Sequence, residues 1–208
     1  MLDNLKKYRV VLASNSPRRK LLLGGLGIPF EVKVLPDIDE SYPESLPLVQ
    51  VAEYIAREKA AAYKPLMAAD ELIITADTIV IAAGEVLGKP KDADDVRRML
   101  GILSDRTHQV VTGVCITTAD GQKSFSAITD VTFKQLTDEE IDYYLENFQP
   151  YDKAGAYGVQ EWIGYIGVSS INGSFYNVMG FPIQRIYNEL AKFGLPQPPP
   201  EEGANTAR

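Results

Sequence analysis

The feature that most constrains this fold is a short apolar run followed directly by a polar turn and the start of a helix. Residues 10–13 are apolar, as in a buried strand, and residues 14–16 are small polar residues that favour a turn. Ser16 suits a helix N-cap, and Pro17 suits the first helical position. The pattern therefore predicts a strand, a tight turn and a helix whose free backbone N–H groups face the turn.

This turn has the chemistry of an anion-binding site. Free N–H groups at a helix start attract phosphate. Arg18 and Arg19 add two guanidinium groups beside the same helix end, where bidentate contacts to phosphate oxygens are geometrically natural. The alternative is a capped surface helix with two solvated arginines, and this motif alone does not decide between them.

Strands and helices alternate early in the chain, and a run of antiparallel strands follows. We predict strands or extended segments at 10–13, 30–35, 71–81, 107–118 and 123–134. We predict helices at 17 to about 25, at 92–103, at 137–148 and at 182–193, with a further helix that begins at Pro47. Asp92 caps the helix at 92–103, a capping box begins the helix at 137–148, and Gly194 ends the helix at 182–193. Mixed strand directions with helices on the faces predict an α/β fold. We expect a mixed twisted sheet flanked by helices, in two lobes around a central cleft where a ligand binds.

The length of 208 residues fits one catalytic domain, which we place at residues 1–194. Residues 195–208 are rich in proline and small or charged residues, and we expect a disordered tail. The N-terminus is polar, and no apolar run approaches the ~20 residues that span a bilayer. We therefore expect a cytoplasmic protein that binds no membrane.

Composition excludes several functional classes. A net charge of −7 disfavours nucleic acid as a partner, because nucleic acid needs a basic surface. One histidine and one cysteine are too few for a zinc site or a Cys–His pair. We expect Cys115 to pack in the core and His108 to be a hydrogen-bonded structural residue. Any metal should be Mg²⁺ or Mn²⁺ bound by oxygen.

Four further polar segments require an explanation. Asp77 interrupts the apolar strand 71–81, where an unpaired carboxylate is costly to desolvate. The acidic turn 37–40 taken alone reads as a solvated loop. Lys89 lies on a Gly-Lys-Pro turn as a compact positive charge, or simply as a surface lysine. The small-residue loop 152–160 reads either as a ligand loop or as a packed turn between strands.

Together these segments resemble the Maf family of nucleoside triphosphate pyrophosphatases, from about Arg9 to Gly194. The matching motifs are Ser14-x-Ser16-Pro17-Arg18-Arg19, Asp39-Glu40, Arg57-Glu58-Lys59, Ala76-Asp77-Thr78, Gly88-Lys89-Pro90 and the loop from Asp152 and Lys153 to Gln160. The resemblance implies a Maf/ITPase-like fold, a homodimer, and cleavage of a nucleoside triphosphate to the monophosphate and pyrophosphate.

The resemblance also implies roles for single residues. It makes Asp77 the proton acceptor. The implied triphosphate-binding residues are Ser14, Arg18, Arg19, Glu40, Lys59 and Lys89, and the further candidate substrate contacts are Thr78, Lys153 and Gln160. We expect Glu40 and Asp77 to hold the divalent cation, which would bridge phosphate oxygens and lower the pKa of the attacking water.

Three of these positions bear on the substrate. Arg18, Thr78 and Gln160 resemble the family branch that hydrolyses dTTP and UTP, whereas the 7-methyl-GTP branch tends to carry tryptophan, glutamine and glutamate there. The carboxamide of Gln160 can donate to a carbonyl and accept from the N3–H of uracil or thymine. Three alternatives stay open: 7-methyl-GTP as substrate, a nonenzymatic nucleotide-binding regulator of septum formation, and a phosphatase that releases single orthophosphates.

The implied mechanism makes a structural demand. Negative charge spreads over the phosphate oxygens in the transition state, and Arg18, Arg19, Lys59 and Lys89 would supply the positive charge. Asp77 would take the proton of the attacking water. Asp77 must therefore lie inside the fold near these cations, and an Asp77 that faced bulk solvent would overturn the hypothesis.

Overall fold

A mixed β-sheet organises the chain. The computed structural model describes residues 2–193, and within that range the sheet has seven strands in the order β2-β1-β3-β5-β6-β7, with β4 paired to β3. The strands are β1 Arg9–Leu12, β2 Glu31–Val32, β3 Glu71–Ala82, β4 Glu85–Leu87, β5 Thr107–Thr117, β6 Gln122–Phe133 and β7 Val168–Asn172. β1 runs parallel to β2 and β3, and the other pairs are antiparallel. The predicted α/β class is confirmed.

Helices cover both faces of this sheet. They are α1 Pro17–Gly24, α2 Leu48–Tyr63, α3 Ala93–Leu103, α4 Asp138–Phe148, α5 Trp162–Gly167, α6 Phe175–Val178 and α7 Ile183–Lys192. The Ser16 side chain caps α1, Asp92 caps α3, and Thr137 forms a capping box with Glu140 at α4. These helix starts are those that the sequence predicts, because capping depends on residues only three positions apart.

One face of the sheet is covered by α2. Val51, Ala52 and Ile55 are buried there with residues of β3 and β5. A Cβ atom at Gly113 of β5 would lie 2.2 Å from the carbonyl carbon and oxygen of Ala52. Only glycine permits this close approach of helix and strand. Since Gly113 pairs with Asp77, the crossing also sets how α2 lies over the middle of β3.

On the opposite face, a polar band separates two apolar clusters. Leu72, Ile74 and Ala76 of β3 join the cluster that contains α1 and α7 residues. Val80 and Ala82 join the cluster that contains α3, α4 and α5 residues. Between them, the hydroxyls of Thr78 and Thr112 are 3.0 Å apart and hydrogen bonded. This division gives two halves of the core with a polar seam between them.

The length of β3 creates a gap at the edge of the sheet. β1 pairs with residues 71–74 of β3, and β4 pairs with residues 80–82. Along residues 75–79, no described strand lies on that edge, while β5 continues along the other. Ligands of α/β sheets bind where neighbouring strands end and diverge. The gap therefore exposes the middle of β3, including Asp77, to a ligand.

The structure differs from the sequence predictions in three places. Only Glu31–Val32 of the predicted extended segment 30–35 is a strand, and loop 152–160 joins the helices α4 and α5 and is not a turn between strands. The short elements α5, β7 and α6 were not predicted, because glycines interrupt α5 and the edge strand β7 lacks a regular alternation of buried residues. The predicted closure at Gly194 and the tail 195–208 lie outside the described residues.

Among residues 2–193, no helix is long and apolar enough to cross a membrane.

Candidate active site

A cleft of about 840 Å³ opens at the gap beside β3. Its lining includes every site residue predicted from the sequence: Ser14, Arg18, Arg19, Glu40, Lys59, Asp77, Thr78, Lys89, Lys153 and Gln160. These residues come from the turn before α1, α1 itself, the loop between β2 and α2, α2, β3, the turn after β4 and the α4–α5 loop. The fold thus brings together segments that are far apart along the chain.

Asp77 lies inside this cleft and is paired. Lys59 of α2 donates to Asp77 Oδ1 at 2.8 Å and also lies 2.8 Å from Glu40 Oε1. The side chains of Asp77 and Lys59 are only 13% and 14% exposed. Burial would raise the pKa of Glu40, but the hydrogen bond and charge of Lys59 outweigh it and lower that pKa. Asp77 therefore does not face bulk solvent, and it lies beside Lys59, one of the four cations that the hypothesis names.

Arg19 is held in the cleft wall by neutral groups. Its guanidinium donates to the carbonyls of Ala76 and Gly180 at 2.7 and 2.9 Å, and to the Thr78 hydroxyl at 3.0 Å. Burial lowers the pKa of Arg19, and nearby Asp77 opposes this shift. The guanidinium stays charged at neutral pH. Since no described carboxylate hydrogen bonds to it, its charge is available to a bound anion.

The turn before α1 has the predicted geometry. The backbone N–H of Ser16 donates to Ser14 Oγ at 3.2 Å, and the N–H of Arg19 donates to Ser16 Oγ at 3.4 Å. The Ser14 side chain is buried at the base of the cleft. The turn is therefore fixed by its own hydroxyls, with the start of the helix facing the cleft.

Lys153 and Lys89 differ in what they contact. The Lys153 ammonium lies 2.7 Å from Asp152 Oδ1 and 3.1 Å from Glu161 Oε1, with its side chain 9% exposed. Lys89 is exposed at the cleft rim and makes no hydrogen bond or ion pair with a described residue. Two carboxylates thus neutralise Lys153, whereas Lys89 has no hydrogen-bonded or ion-paired carboxylate among the described residues and acts on Glu40 only through its charge.

Arg18 reaches across the cleft to the α4–α5 loop. Its guanidinium donates to Asp152 Oδ2 at 2.9 Å and to the Asp152 carbonyl at 3.4 Å. Burial would raise the pKa of Asp152, but the hydrogen bonds from Lys153 and Arg18 outweigh it and lower the pKa to about 2. The carboxylate is therefore charged at neutral pH and ties the loop to α1.

The carboxamide of Gln160 is unpaired. Its Oε1 atom is buried and has no hydrogen-bond partner among the described residues, and its Nε2 atom makes no hydrogen bond with them either. Burial of an unpaired amide oxygen is costly, and such groups usually serve a ligand or bind water. Gln160 thus presents one donor group and one acceptor to the cleft.

Glu40 and Asp77 offer carboxylate oxygens, the ligand type that a hard divalent cation prefers. Both bind the same Lys59 nitrogen at 2.8 Å, so they lie no further apart than twice that distance. Mg²⁺ is commonly bound by one or two carboxylates together with substrate phosphates. In residues 2–193, no group of three or more His, Cys, Asp or Glu could hold a metal ion. A cation here would need phosphate oxygens to complete its coordination.

Two residues that support the α4–α5 loop beside the cleft had not been predicted from the sequence. Tyr144 of α4 is fully buried and contacts the loop through its hydroxyl, and Glu161 binds both Tyr144 and Lys153. Tyr144 carries no sequence signal that separates it from other buried residues of α4. Glu161 could have been noticed as an acidic residue that directly follows Gln160.

The expected structural roles of His108 and Cys115 are confirmed, since both are buried and His108 Nε2 hydrogen bonds to the Tyr157 hydroxyl.

Comparison with known proteins identifies the family of this chain. Residues 9–193 match the family of Maf-like proteins, and the chain belongs to this family. It is 62% identical over 192 residues to a dTTP/UTP pyrophosphatase of Phocaeicola vulgatus, covering 92% of this chain and 100% of the relative. It is also 62% identical over 193 residues to a dTTP/UTP pyrophosphatase of Parabacteroides distasonis, covering 93% of this chain and 100% of the relative. The solved structure of the Staphylococcus aureus Ham1 protein is 17% identical, covers 60% of this chain and 71% of that chain, and superposes with a TM-score of 0.41.

Proposed function

We propose that this protein is a pyrophosphatase that hydrolyses dTTP and UTP between the α- and β-phosphates, releasing the nucleoside monophosphate and pyrophosphate. The observation that carries the proposal is an inward carboxylate, Asp77, in a cleft lined by Arg18, Arg19, Lys59 and Lys89. A site that only binds a triphosphate gains nothing from a carboxylate beside it unless a metal intervenes. Two relatives that carry the name dTTP/UTP pyrophosphatase over their whole length support the substrate class.

Different residues of the cleft have different roles in the proposed reaction. Asp77 accepts the proton of the attacking water. Arg19 and Lys89 stabilise negative charge on the phosphate oxygens, because neither is neutralised by a hydrogen-bonded carboxylate. Lys59 bridges Glu40 and Asp77 before substrate binds and can move its ammonium to a phosphate oxygen. Ser14 and the start of α1 hold the phosphate chain through hydroxyl and backbone N–H groups.

We propose that Glu40 and Asp77 bind Mg²⁺ or Mn²⁺ together with the triphosphate. Bound there, the cation would neutralise phosphate charge and lower the pKa of the attacking water. The pair of carboxylate oxygens on either side of Lys59 supports this assignment. Turnover should disappear with a chelator and return with either cation.

We propose that Gln160 recognises the nucleobase. Its unpaired carboxamide can donate to a base carbonyl and accept from the N3–H of uracil or thymine. Cytosine lacks that N3–H and should be a poorer substrate. The Thr78 hydroxyl hydrogen bonds to Arg19 and Thr112. We propose that Thr78 assists substrate binding next to the Arg19 guanidinium.

A substrate panel tests the proposal. Pyrophosphate and orthophosphate release would be measured from dTTP, UTP, CTP and 7-methyl-GTP at saturating Mg²⁺. We expect pyrophosphate from dTTP and UTP. Preference for 7-methyl-GTP would assign the other family branch, orthophosphate alone would indicate a phosphatase, and no release from any nucleotide would favour a nonenzymatic regulator.

We further propose a homodimer in the cytoplasm. The dimer is supported by the family resemblance, and the location by the free, buried Cys115. Sedimentation equilibrium should give twice the chain mass of 22.9 kDa. Cell fractionation would test the location.

A further inference from the structure

Tyr144 and Glu161 lie outside the sequence motifs and meet beneath the loop that carries Gln160. We propose that these two residues are positioning residues that set base selectivity by holding the Gln160 carboxamide in place. The inference rests on the proposed function, because it concerns discrimination between pyrimidine triphosphates. The proposed function assigns base recognition to Gln160 alone, whereas this inference assigns part of the selectivity to Tyr144 and Glu161, which do not touch the nucleotide.

The Tyr144 hydroxyl joins two parts of the loop. It donates a short hydrogen bond to Glu161 Oε2 and accepts the backbone N–H of Gly158 at 3.0 Å. Burial and the hydrogen bond to Glu161 raise the pKa of Tyr144, so the hydroxyl keeps its proton at neutral pH. The tyrosine therefore fixes positions two residues before and one residue after Gln160.

Glu161 also ties the end of the loop to its start. Its second oxygen, Oε1, lies 3.1 Å from the Lys153 ammonium, which in turn contacts Asp152 at 2.7 Å. The loop is thus closed by one carboxylate that binds a tyrosine and a lysine from different segments. A loop closed in this way has little freedom to move its last residues.

The turn at Gly158 transmits this constraint to Gln160. The N–H of Glu161 donates to the Gly158 carbonyl at 2.9 Å, which closes a tight turn around Gln160. A Cβ atom at Gly158 would lie 3.0 Å from Gln160 Nε2 and 2.8 Å from Glu161 Cδ. The carboxamide thus lies directly against the Gly158 backbone. Since the carboxamide makes no hydrogen bond of its own within the described chain, its position depends on this turn.

The variant Tyr144→Phe removes the hydroxyl and keeps the ring. We expect the ratio of kcat/KM for UTP to that for CTP to fall ~10-fold, mainly through a higher KM for UTP, because an oriented carboxamide is lost. Tyr143→Phe is the matched control: it lies on the same helix, is 48% exposed, and its hydroxyl makes no hydrogen bond with a described residue. The control should keep the wild-type ratio.

A double-mutant cycle separates positioning from a general structural effect. Gln160→Ala should lower the UTP to CTP ratio, and adding Tyr144→Phe should lower it no further. Glu161→Gln, which keeps an acceptor for Tyr144, should retain more selectivity than Glu161→Ala. An equal loss of kcat/KM for UTP and CTP, additive losses in the cycle, or an unchanged ratio would each overturn the inference.

A measurement without nucleotide distinguishes this inference from the proposed function. Hydrogen exchange at the Gly158 amide should accelerate ~10-fold or more in Tyr144→Phe, because the amide loses its acceptor, while the amides of α4 keep their protection. Unchanged exchange at Gly158 would refute the positioning role. Failure of the wild-type protein to release pyrophosphate from UTP would instead refute the proposed function.

Discussion

At the scale of single residues, Asp77 shows how an exception within a regular pattern marks a site. Most other residues of β3 are apolar and buried, and the carboxylate is retained because Lys59 pairs with it. A buried carboxylate without such a partner would cost several kcal/mol. Before substrate binds, the pair therefore stabilises the fold. Once a phosphate oxygen binds Lys59 in place of Asp77, the Asp77 carboxylate can act in the proposed reaction.

Replacing Asp77 by asparagine tests its role as base. Asp77→Asn keeps the shape of the side chain and removes the proton acceptor, so kcat should fall ~100-fold or more, with nucleotide affinity largely retained. Steady-state kinetics and equilibrium nucleotide binding would measure the two quantities. Asp70→Asn is the matched control, because Asp70 pairs with Arg9 at the surface end of β3. A fully active Asp77→Asn variant would contradict the assignment.

His108 gives the protein a predictable sensitivity to acid. Burial lowers its pKa from 6.5 to about 4, so the unfolded chain binds a proton at a higher pH than the folded protein does. The contribution of His108 to stability is therefore present above about pH 6.5 and is lost as the pH falls towards 4. The free energy of unfolding should decrease by up to about 3 kcal/mol over this range through His108 alone.

Urea unfolding at several pH values would measure this effect. His108→Gln keeps a polar partner for the Tyr157 hydroxyl and removes the titrating group. Its unfolding free energy should depend less on pH between 6.5 and 4 than that of the wild-type protein. Identical pH dependences for the two proteins would show that His108 is not the responsible group.

At the scale of secondary structure, the crossing of α2 over β5 fixes the position of Lys59. Gly113→Ala places a methyl group 2.2 Å from the Ala52 carbonyl, so the helix must shift. We expect a loss of ~1–3 kcal/mol in unfolding free energy, and reduced turnover because Lys59 and Asp77 are separated. Gly101→Ala in α3 is the control: apart from the backbone of its own helix and its two chain neighbours, no described atom lies within 4 Å of the added Cβ, and the change should raise stability by ~0.4–1 kcal/mol. A stable, fully active Gly113→Ala variant would contradict this account.

The long or capped elements could be predicted from the sequence, and the short ones could not. The starts of α1, α3 and α4 follow from caps within four residues, and β3 follows from its apolar run. By contrast, α5 and α6 have six and four residues, and packing against the sheet stabilises them more than local preference does.

At the scale of the whole molecule, Arg18 and Asp152 join α1 to the α4–α5 loop across the cleft. Asp152 has its pKa lowered from 3.8 to about 2, so its contribution is present above about pH 3.8 and is lost as the pH falls towards 2. The effect on stability should be small, because the Asp152 side chain is half exposed.

A carboxyl titration by NMR tests this connection. In Arg18→Gln, the pKa of Asp152 should rise towards 3.8, because one of its two cationic partners is removed. Arg97→Gln is the control, since Arg97 pairs with Asp142 on the outer surface of α3 and α4. An unchanged titration of Asp152 in Arg18→Gln would show that Arg18 does not hold the loop.

The sequence by itself determined the local structure and the identity of the chemical groups. The triphosphate site was implied by the family resemblance of the motifs at Ser14, Asp77 and Gln160. Caps, turns and apolar runs are readable from the sequence because their physical causes lie between near neighbours along the chain.

Only the tertiary structure decided what each charged group contacts. Arg18 and Asp152 are 134 positions apart, and Lys59 and Asp77 meet because α2 crosses the sheet at Gly113. The tertiary structure also distinguishes Lys153, which two carboxylates neutralise, from Lys89, which forms no ion pair with a described residue. Such contacts depend on strand order and helix crossing, which short-range patterns do not encode.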